Sequence, residues 1–228
     1  MNRKAYRIRA YDPAPTVNDG IDRLPPPLST VRIAAEDGWQ NRSMPIGNGY
    51  LGAVICGRTD IERIQITENS FCNPLYEPTC GAGLNNFAEL WLDLGHTAVA
   101  QYSRSLSLND ATVQVSYSCA GVRYEREYFA SYPARVLAVR LTADRPGALA
   151  FRLRAEAPFV RDWCVEPGDG MGKTGRVTAA DSTLTLETAL TYYDVRGELQ
   201  ATVVTDGICQ AEGDALAVSG AQTAVLYI

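Results

Sequence analysis

Gly47, Gly49 and Gly52 stand in MPIGNGYLGA at the G-x-G-x-x-G spacing that lets a backbone approach a dinucleotide pyrophosphate. That chemistry needs a hydrophobic strand before the first glycine and a helix amino terminus after the last. Neither flank fits. WQNRSMP is polar and contains Pro45, while AVICGRTDIERIQI alternates like two strands turning near Arg58 to Asp60. Glu68 lies where the acidic residue of such a fingerprint would fall, but the wrong context outweighs it. The glycines are therefore expected to serve a tight turn before a strand, where positive φ or close packing excludes a side chain. Asn48, between two of them, is expected to cap that turn or to offer its amide to a ligand hydroxyl.

GDGMGKTG, ending in Gly172, Lys173 and Thr174, imitates a phosphate-binding loop but has Pro167 where the first glycine is required. It reads as a flexible loop within reach of a ligand at one end of the fold. Paired carboxylates are the other chemistry to seek. Glu68 and Glu77, in and beyond ITENSFCNPLYEP, are the candidates there, and both read better as solvated loop charges. The single histidine, His96, follows Gly95 at a strand end with no second histidine nearby, so no metal site is expected and His96 reads as a surface or turn residue. Trp91 alternates within ELWLDL and should be packed. Trp163, in VRDWCVEPGDG, is the better candidate for a ligand or interdomain contact, and Tyr192 and Tyr193 could join it in a stacking platform.

The elements that must position these residues are strands. Period-two segments are AVIC, ERIQIT, ELWLDL, TVQVSYSC, VRYEREYFA, RVLAVRLTA, ALAFRLRAEA, TLTLETAL, ELQATVVT, ALAVS and TAVLYI. In VRYEREYF, Val122, Tyr124 and Tyr128 share one face and Arg123, Glu125 and Glu127 the other. RVLAVRL is apolar on both faces. Gly121 and the run Asp144 to Gly147 signal hairpins between neighbouring strands. No segment sustains a helical period with caps. The fold class is all-β, a large antiparallel β-sandwich. Residues 1–37 form an extended Pro-rich segment ahead of it, and 38–228 form the sandwich.

Composition agrees with a folded chain: 46% of its 228 residues are hydrophobic and 21% charged. The net charge of -5 and the lack of clustered Lys and Arg argue against nucleic-acid binding. No apolar run has signal-peptide or membrane-spanning character, so neither membrane contact nor secretion is expected and the location is read as cytoplasmic. The six cysteines have no C-x-x-C spacing and read as reduced thiols; Cys72 and Cys80 flank a loop and would pair only in an oxidising compartment. TAVLYI ends inside an apolar strand, and more protein is expected after Ile228.

MPIGNGYLGAVICG followed by ERIQITEN, with ELWLDLG, YSRSLSLNDATVQVSYSCAGVRYEREYFASYPARVLAVRLTADRPGAL and the closing DGICQAEGDALAVSGAQTAVLYI, strongly resembles the amino-terminal domain of glycoside hydrolase family 95, the α-L-fucosidase family, over Gly38 to Ile228. The alternatives are a noncatalytic carbohydrate-binding sandwich and the similar amino-terminal domain of a family 65 disaccharide phosphorylase. The resemblance implies a β-supersandwich leading into a helical linker and an (α/α)6-barrel that removes terminal fucosyl groups with inversion. It places the catalytic carboxylates and asparagines in the barrel. No catalytic residue, metal ligand or cofactor is then expected in this chain, which alone should be inactive. Its partners would be that barrel, an oligosaccharide and, through exposed surface, a second copy in a homodimer. Asn48, Glu68, Asn69 and Trp163 are the candidates for substrate or interdomain contact. Two departures bear on the sugar: Tyr50 stands where the family has arginine, and TENSFC stands for the usual Asn-Glu-Asp-Thr-Leu-Trp, with Glu68 preserved.

Overall fold

A computed structural model describes residues 7–9, 43–72, 86–158, 173–190 and 195–228. Among these there is no helix, and none therefore long and apolar enough to cross a membrane. The strands are β1 (Arg7–Arg9), β2 (Met44–Gly47), β3 (Leu51–Ile55), β4 (Ile61–Glu68), β5 (Ala88–Asp93), β6 (Val99–Ser107), β7 (Thr112–Cys119) and β8 (Val122–Ser131). They continue as β9 (Val136–Ala143), β10 (Leu149–Glu156), β11 (Lys173–Ala180), β12 (Thr183–Leu190), β13 (Val195–Thr205), β14 (Ile208–Glu212), β15 (Ala215–Ala221) and β16 (Thr223–Tyr227).

They pair antiparallel throughout as two sheets, one of nine strands in the order β1-β6-β7-β8-β9-β16-β13-β12-β11 and one of seven in the order β14-β15-β10-β5-β4-β3-β2. The sandwich closes over an apolar interior because each strand turns alternate residues inward. Ile64 and Ile66 of β4, Leu90 and Leu92 of β5, Leu137, Val139 and Leu141 of β9, and Leu184 and Leu186 of β12 are all buried.

Turn chemistry sets the register. Cys119 pairs with Val122 around Ala120 (φ 50) and Gly121 (φ 75), the two positive-φ positions that a two-residue hairpin needs to match strand twist. The DRPG run does something other than expected. β9 and β10 lie in different sheets, so Asp144 to Gly147 carries the chain across the sandwich instead of joining ladder neighbours. Asp206 marks a second crossing, where its Oδ1 accepts the Gln222 and Thr223 amides and those bonds hold its carboxyl below the usual range.

Three further expectations need correction. The GKTG end of the supposed loop belongs to β11: Lys173 pairs with Leu190 and its side chain is buried. Arg126, passed over in the alternation of VRYEREYF, occupies the inward face beside Tyr124 and Tyr128. In β9 only Ala138 is buried on the outer face, since Arg140 is exposed. β1 also shows that Arg7–Arg9, within the Pro-rich segment, pairs with Ser105 to Ser107 of β6.

Candidate functional site

The glycine-rich run is a hairpin. Gly47 ends β2 and pairs directly with Gly52 in β3, and Gly49, at φ 88, takes the one backbone conformation there that side chains disfavour. The Asn48 amide donates to the Leu51 carbonyl, and Asn48 Oδ1 accepts the Tyr50 and Leu51 amides at 3.0 and 2.8 Å. Its Nδ2 donates to the Ser131 carbonyl at the end of β8, 2.9 Å away. One buried side chain thus caps the turn and ties the two sheets together at this end.

Glu68 and Asn69 come to the same place. Glu68 pairs across the ladder with Leu51, and the Asn69 amide donates to the Tyr50 carbonyl at 2.9 Å. Glu68 Oε2 accepts from the Ser70 amide and hydroxyl. From the other sheet, the β8–β9 turn contributes Tyr132, whose ring stacks on Tyr50 with centroids 5.8 Å apart, and Arg135, whose guanidinium lies 4.9 Å over the Tyr50 ring. Sequence reasoning missed Tyr132 and Arg135. The signal was the Tyr-Pro pair of SYPAR in a turn, which marks an aromatic that cannot be in mid-strand. Trp163, Trp39, Glu77, Tyr192, Tyr193, Cys80 and Cys164 lie outside the described residues.

A second cluster of ionisable groups lies inside the sandwich. Residues 56–59, in the turn between β3 and β4, are buried, so their backbone groups need partners. The nine-stranded sheet supplies them: Arg104 donates to the Cys56 carbonyl, Tyr102 to that of Gly57, and Arg126 to that of Arg58. Glu62 completes the set by accepting the Gly57 and Arg63 amides, the Arg126 guanidinium and the Tyr128 hydroxyl. Burial pushes the Cys56 thiol up to about 12, with Glu62 adding to the effect, and drives the Tyr128 phenol well above its ordinary value. His96 lies in the connection between β5 and β6, as the surface-or-turn reading expects, and is half-buried: its Nδ1 is 2.9 Å from the Tyr117 hydroxyl and its ring packs on Tyr124. Burial, and then the Arg126 charge, lower its pKa. Both Glu62 oxygens already have donors, and Arg58, Glu62, Arg104, Arg126 and Tyr128 are buried. The chemistry of the cluster is structural.

Trp91 and Glu89 share the outer face of β5, and both are buried. Arg63 forks onto Glu89 and lies 5.4 Å over the Trp91 ring, while Asn86 Nδ2 donates to Glu89 Oε1. Lys173 Nζ donates to the Asn86 and Phe87 carbonyls and has no ion pair among the described residues; burial lowers its pKa to about 7, with the Glu89 charge acting the other way.

A hollow of about 780 Å³ lies along β11, β12 and β13 and is walled by Arg176, Glu187, Arg196 and Glu198. Glu187 pairs directly with Glu198, so the two carboxyls rise side by side from one surface. Inverting glycoside hydrolysis instead needs an acid and a base about 6.5 to 9.5 Å apart on opposite faces of the sugar. Among the described residues no group of three His, Cys, Asp or Glu could hold a metal ion.

The model of "Glycosyl hydrolase family 65, N-terminal domain" matches residues 30–73 and 72–228. Alpha-L-fucosidase 2 of Arabidopsis thaliana is 30% identical over 173 residues, covering 59% of this chain. The chain spans only 20% of that protein's length. A solved structure described as "Putative kojibiose phosphorylase from human microbiome" aligns at a TM-score of 0.44 with 9% identity, over 86% of this chain and 31% of its own. By the extent of the family match, this chain belongs to the glycosyl hydrolase family 65 N-terminal domain family.

Proposed function

We propose that this chain is the non-catalytic amino-terminal sandwich of an inverting exo-glycosidase of the family 95 type, acting on terminal α-L-fucosyl linkages of oligosaccharides. The identity with alpha-L-fucosidase 2 carries this reading. The geometry supports its second half. Among the described residues, Glu62 and Glu89 are bound within ion pairs, and Glu187 and Glu198 share one wall. In this reading the chemistry belongs to a carboxy-terminal (α/α)6-barrel, to which the sandwich is a partner. We place the protein in the cytoplasm, where the free thiols of Cys56, Cys72, Cys119 and Cys209 are stable. Surface Tyr227, Val204 and Ile208 offer apolar contact for a barrel or for a second copy.

The test is fucose release from 2'-fucosyllactose by this chain and by a longer product of the same gene. Activity confined to the longer protein is the expected result, and release by the 228-residue chain would refute the non-catalytic assignment. A second reading is the alternative left open by the sequence resemblance, a disaccharide phosphorylase with a family 65 type amino-terminal domain. Phosphate-dependent cleavage of maltose by the longer product, without action on the fucoside, would favour it.

A further inference from the structure

Tyr132 is 65% exposed even though its ring packs on Tyr50, which is itself 39% exposed. An aromatic face left in water is ordinary on a mobile side chain, but this one is held from several directions. Asn48 bonds the hairpin to Ser131, next in sequence to Tyr132. The Arg135 amide closes the turn onto the Tyr132 carbonyl at 3.3 Å. Arg135 itself sits at φ 54, a left-handed conformation that non-glycine residues disfavour, and its guanidinium covers Tyr50. The turn thus tolerates backbone strain while holding the Tyr132 ring against Tyr50.

Polar groups flank the ring pair. Asn69 is exposed and is tied through its amide to Tyr50. Glu68 uses Oε2 for Ser70, while Oε1 has no partner among the described residues. An exposed aromatic face, with a carboxylate and an amide on residues backbone-linked to Leu51 and Tyr50, matches a pyranose: the C–H face of the sugar covers the ring while hydroxyls reach the polar groups.

We propose that this end of the sandwich is a subsite for a neutral pyranose ring, stacked on Tyr132 with Glu68 and Asn69 toward its hydroxyls. The proposal rests on the carbohydrate-active reading of the domain, and it adds the place and the residues. Protein docking on the same patch is the rival.

The test titrates the 228-residue chain with 2'-fucosyllactose, lactose and maltose by calorimetry, following the tyrosine ring resonances by NMR. At least one sugar should bind saturably and shift the Tyr132 ring signals. Tyr132→Ala should weaken that sugar by about tenfold or more, and Tyr132→Trp should restore it. Because Tyr132 is exposed, both variants should keep the wild-type melting temperature. Unchanged affinity in Tyr132→Ala overturns the subsite, as does the absence of saturable binding by all three sugars, which would favour protein docking. Binding of maltose alone through Tyr132 would support the subsite and count against the fucosidase assignment. Fucose release by the longer product with no sugar bound here would do the reverse.

Discussion

Arg126 of the nine-stranded sheet meets Glu62 of the seven-stranded sheet at 2.8 Å, with 2% and 0% of their side chains exposed. Arg126 also donates to the Arg58 carbonyl, and Glu62 also accepts from the Gly57 amide and the Tyr128 hydroxyl. The pair is therefore the middle of a bonded path that ties a buried turn of one sheet to the other. Its Coulomb attraction is offset by the cost of removing both charges from water, so the informative quantity is what happens when one partner is lost.

Glu62→Gln should cost roughly 3–5 kcal/mol, because the Arg126 charge is left buried without a counter-charge. Arg126→Met should be similarly harmful, leaving Glu62 charged and the Arg58 carbonyl without its donor. The double variant should cost clearly less than the sum of the two. Urea unfolding of all four proteins gives the coupling, and additive losses would show that the pair is not a unit.

Lys173 makes stability depend on pH in a predictable direction. Its ordinary pKa of 10.5 falls to about 7 by burial, so between these values the unfolded chain holds a proton that the folded one lacks. Stability must rise with pH through that interval, the buried charge being most costly below pH 7. Above pH 9 the Cys56 thiol opposes the trend, because folding raises its pKa from 9.0 to about 12 and its contribution is lost as pH rises. The clean window is pH 7 to 9. Wild type should gain stability there relative to Lys173→Met, whose Asn86 and Phe87 carbonyls lose a donor at every pH. A constant difference between the two across the window would mean that Lys173 is charged when folded.

The strands were legible because alternation is local: TVQVSYSC and TLTLETAL coincide with β7 and β12 to the residue. Which sheet each strand joins is not local. DRPG looks like a hairpin turn, and only the pairing of β9 with β16 and of β10 with β5 makes it a crossing. The inward arginines were illegible for a related reason. Arg126 and Arg104 serve the backbone of a buried turn remote in sequence, and nothing beside them announces that turn. Lys173 followed glycines that signal a loop, while its strand character comes from the ladder with β12. At the candidate site, Asn48, Glu68 and Asn69 could be named from one motif, whereas Tyr132 and Arg135 reach it from 80 or so positions away through the fold.

Asn48 gives a graded test of the link between sheets. Asn48→Ala removes both the cap and the bond to Ser131 and should cost about 1–3 kcal/mol. Asn48→Asp keeps an acceptor for the Tyr50 and Leu51 amides but has no donor for the Ser131 carbonyl, so its loss should be smaller. Hydrogen exchange should show faster opening of the Tyr50 and Leu51 amides in the alanine variant than in the aspartate variant. Equal exchange in both would assign the stabilisation to the inter-sheet bond alone.

Gly197, beside the hollow along β11 to β13, lies close against Phe87, which precedes β5 of the other sheet. A Cβ there would lie 2.4 Å from Cε2 of the Phe87 ring and 3.1 Å from Cζ, too close for either to stay. Phe87 is buried against Phe71, with ring centroids 5.0 Å apart, so its ring has little room to retreat. Gly197→Ala should therefore destabilise by about 1–3 kcal/mol through overpacking, although alanine suits a strand backbone better than glycine. Adding Phe87→Leu should recover part of the loss, since a smaller side chain vacates the space the methyl needs. If Gly197→Ala alone melts at or above the wild-type temperature, the Phe87 ring yields freely and the close approach of the sheets is not what requires glycine.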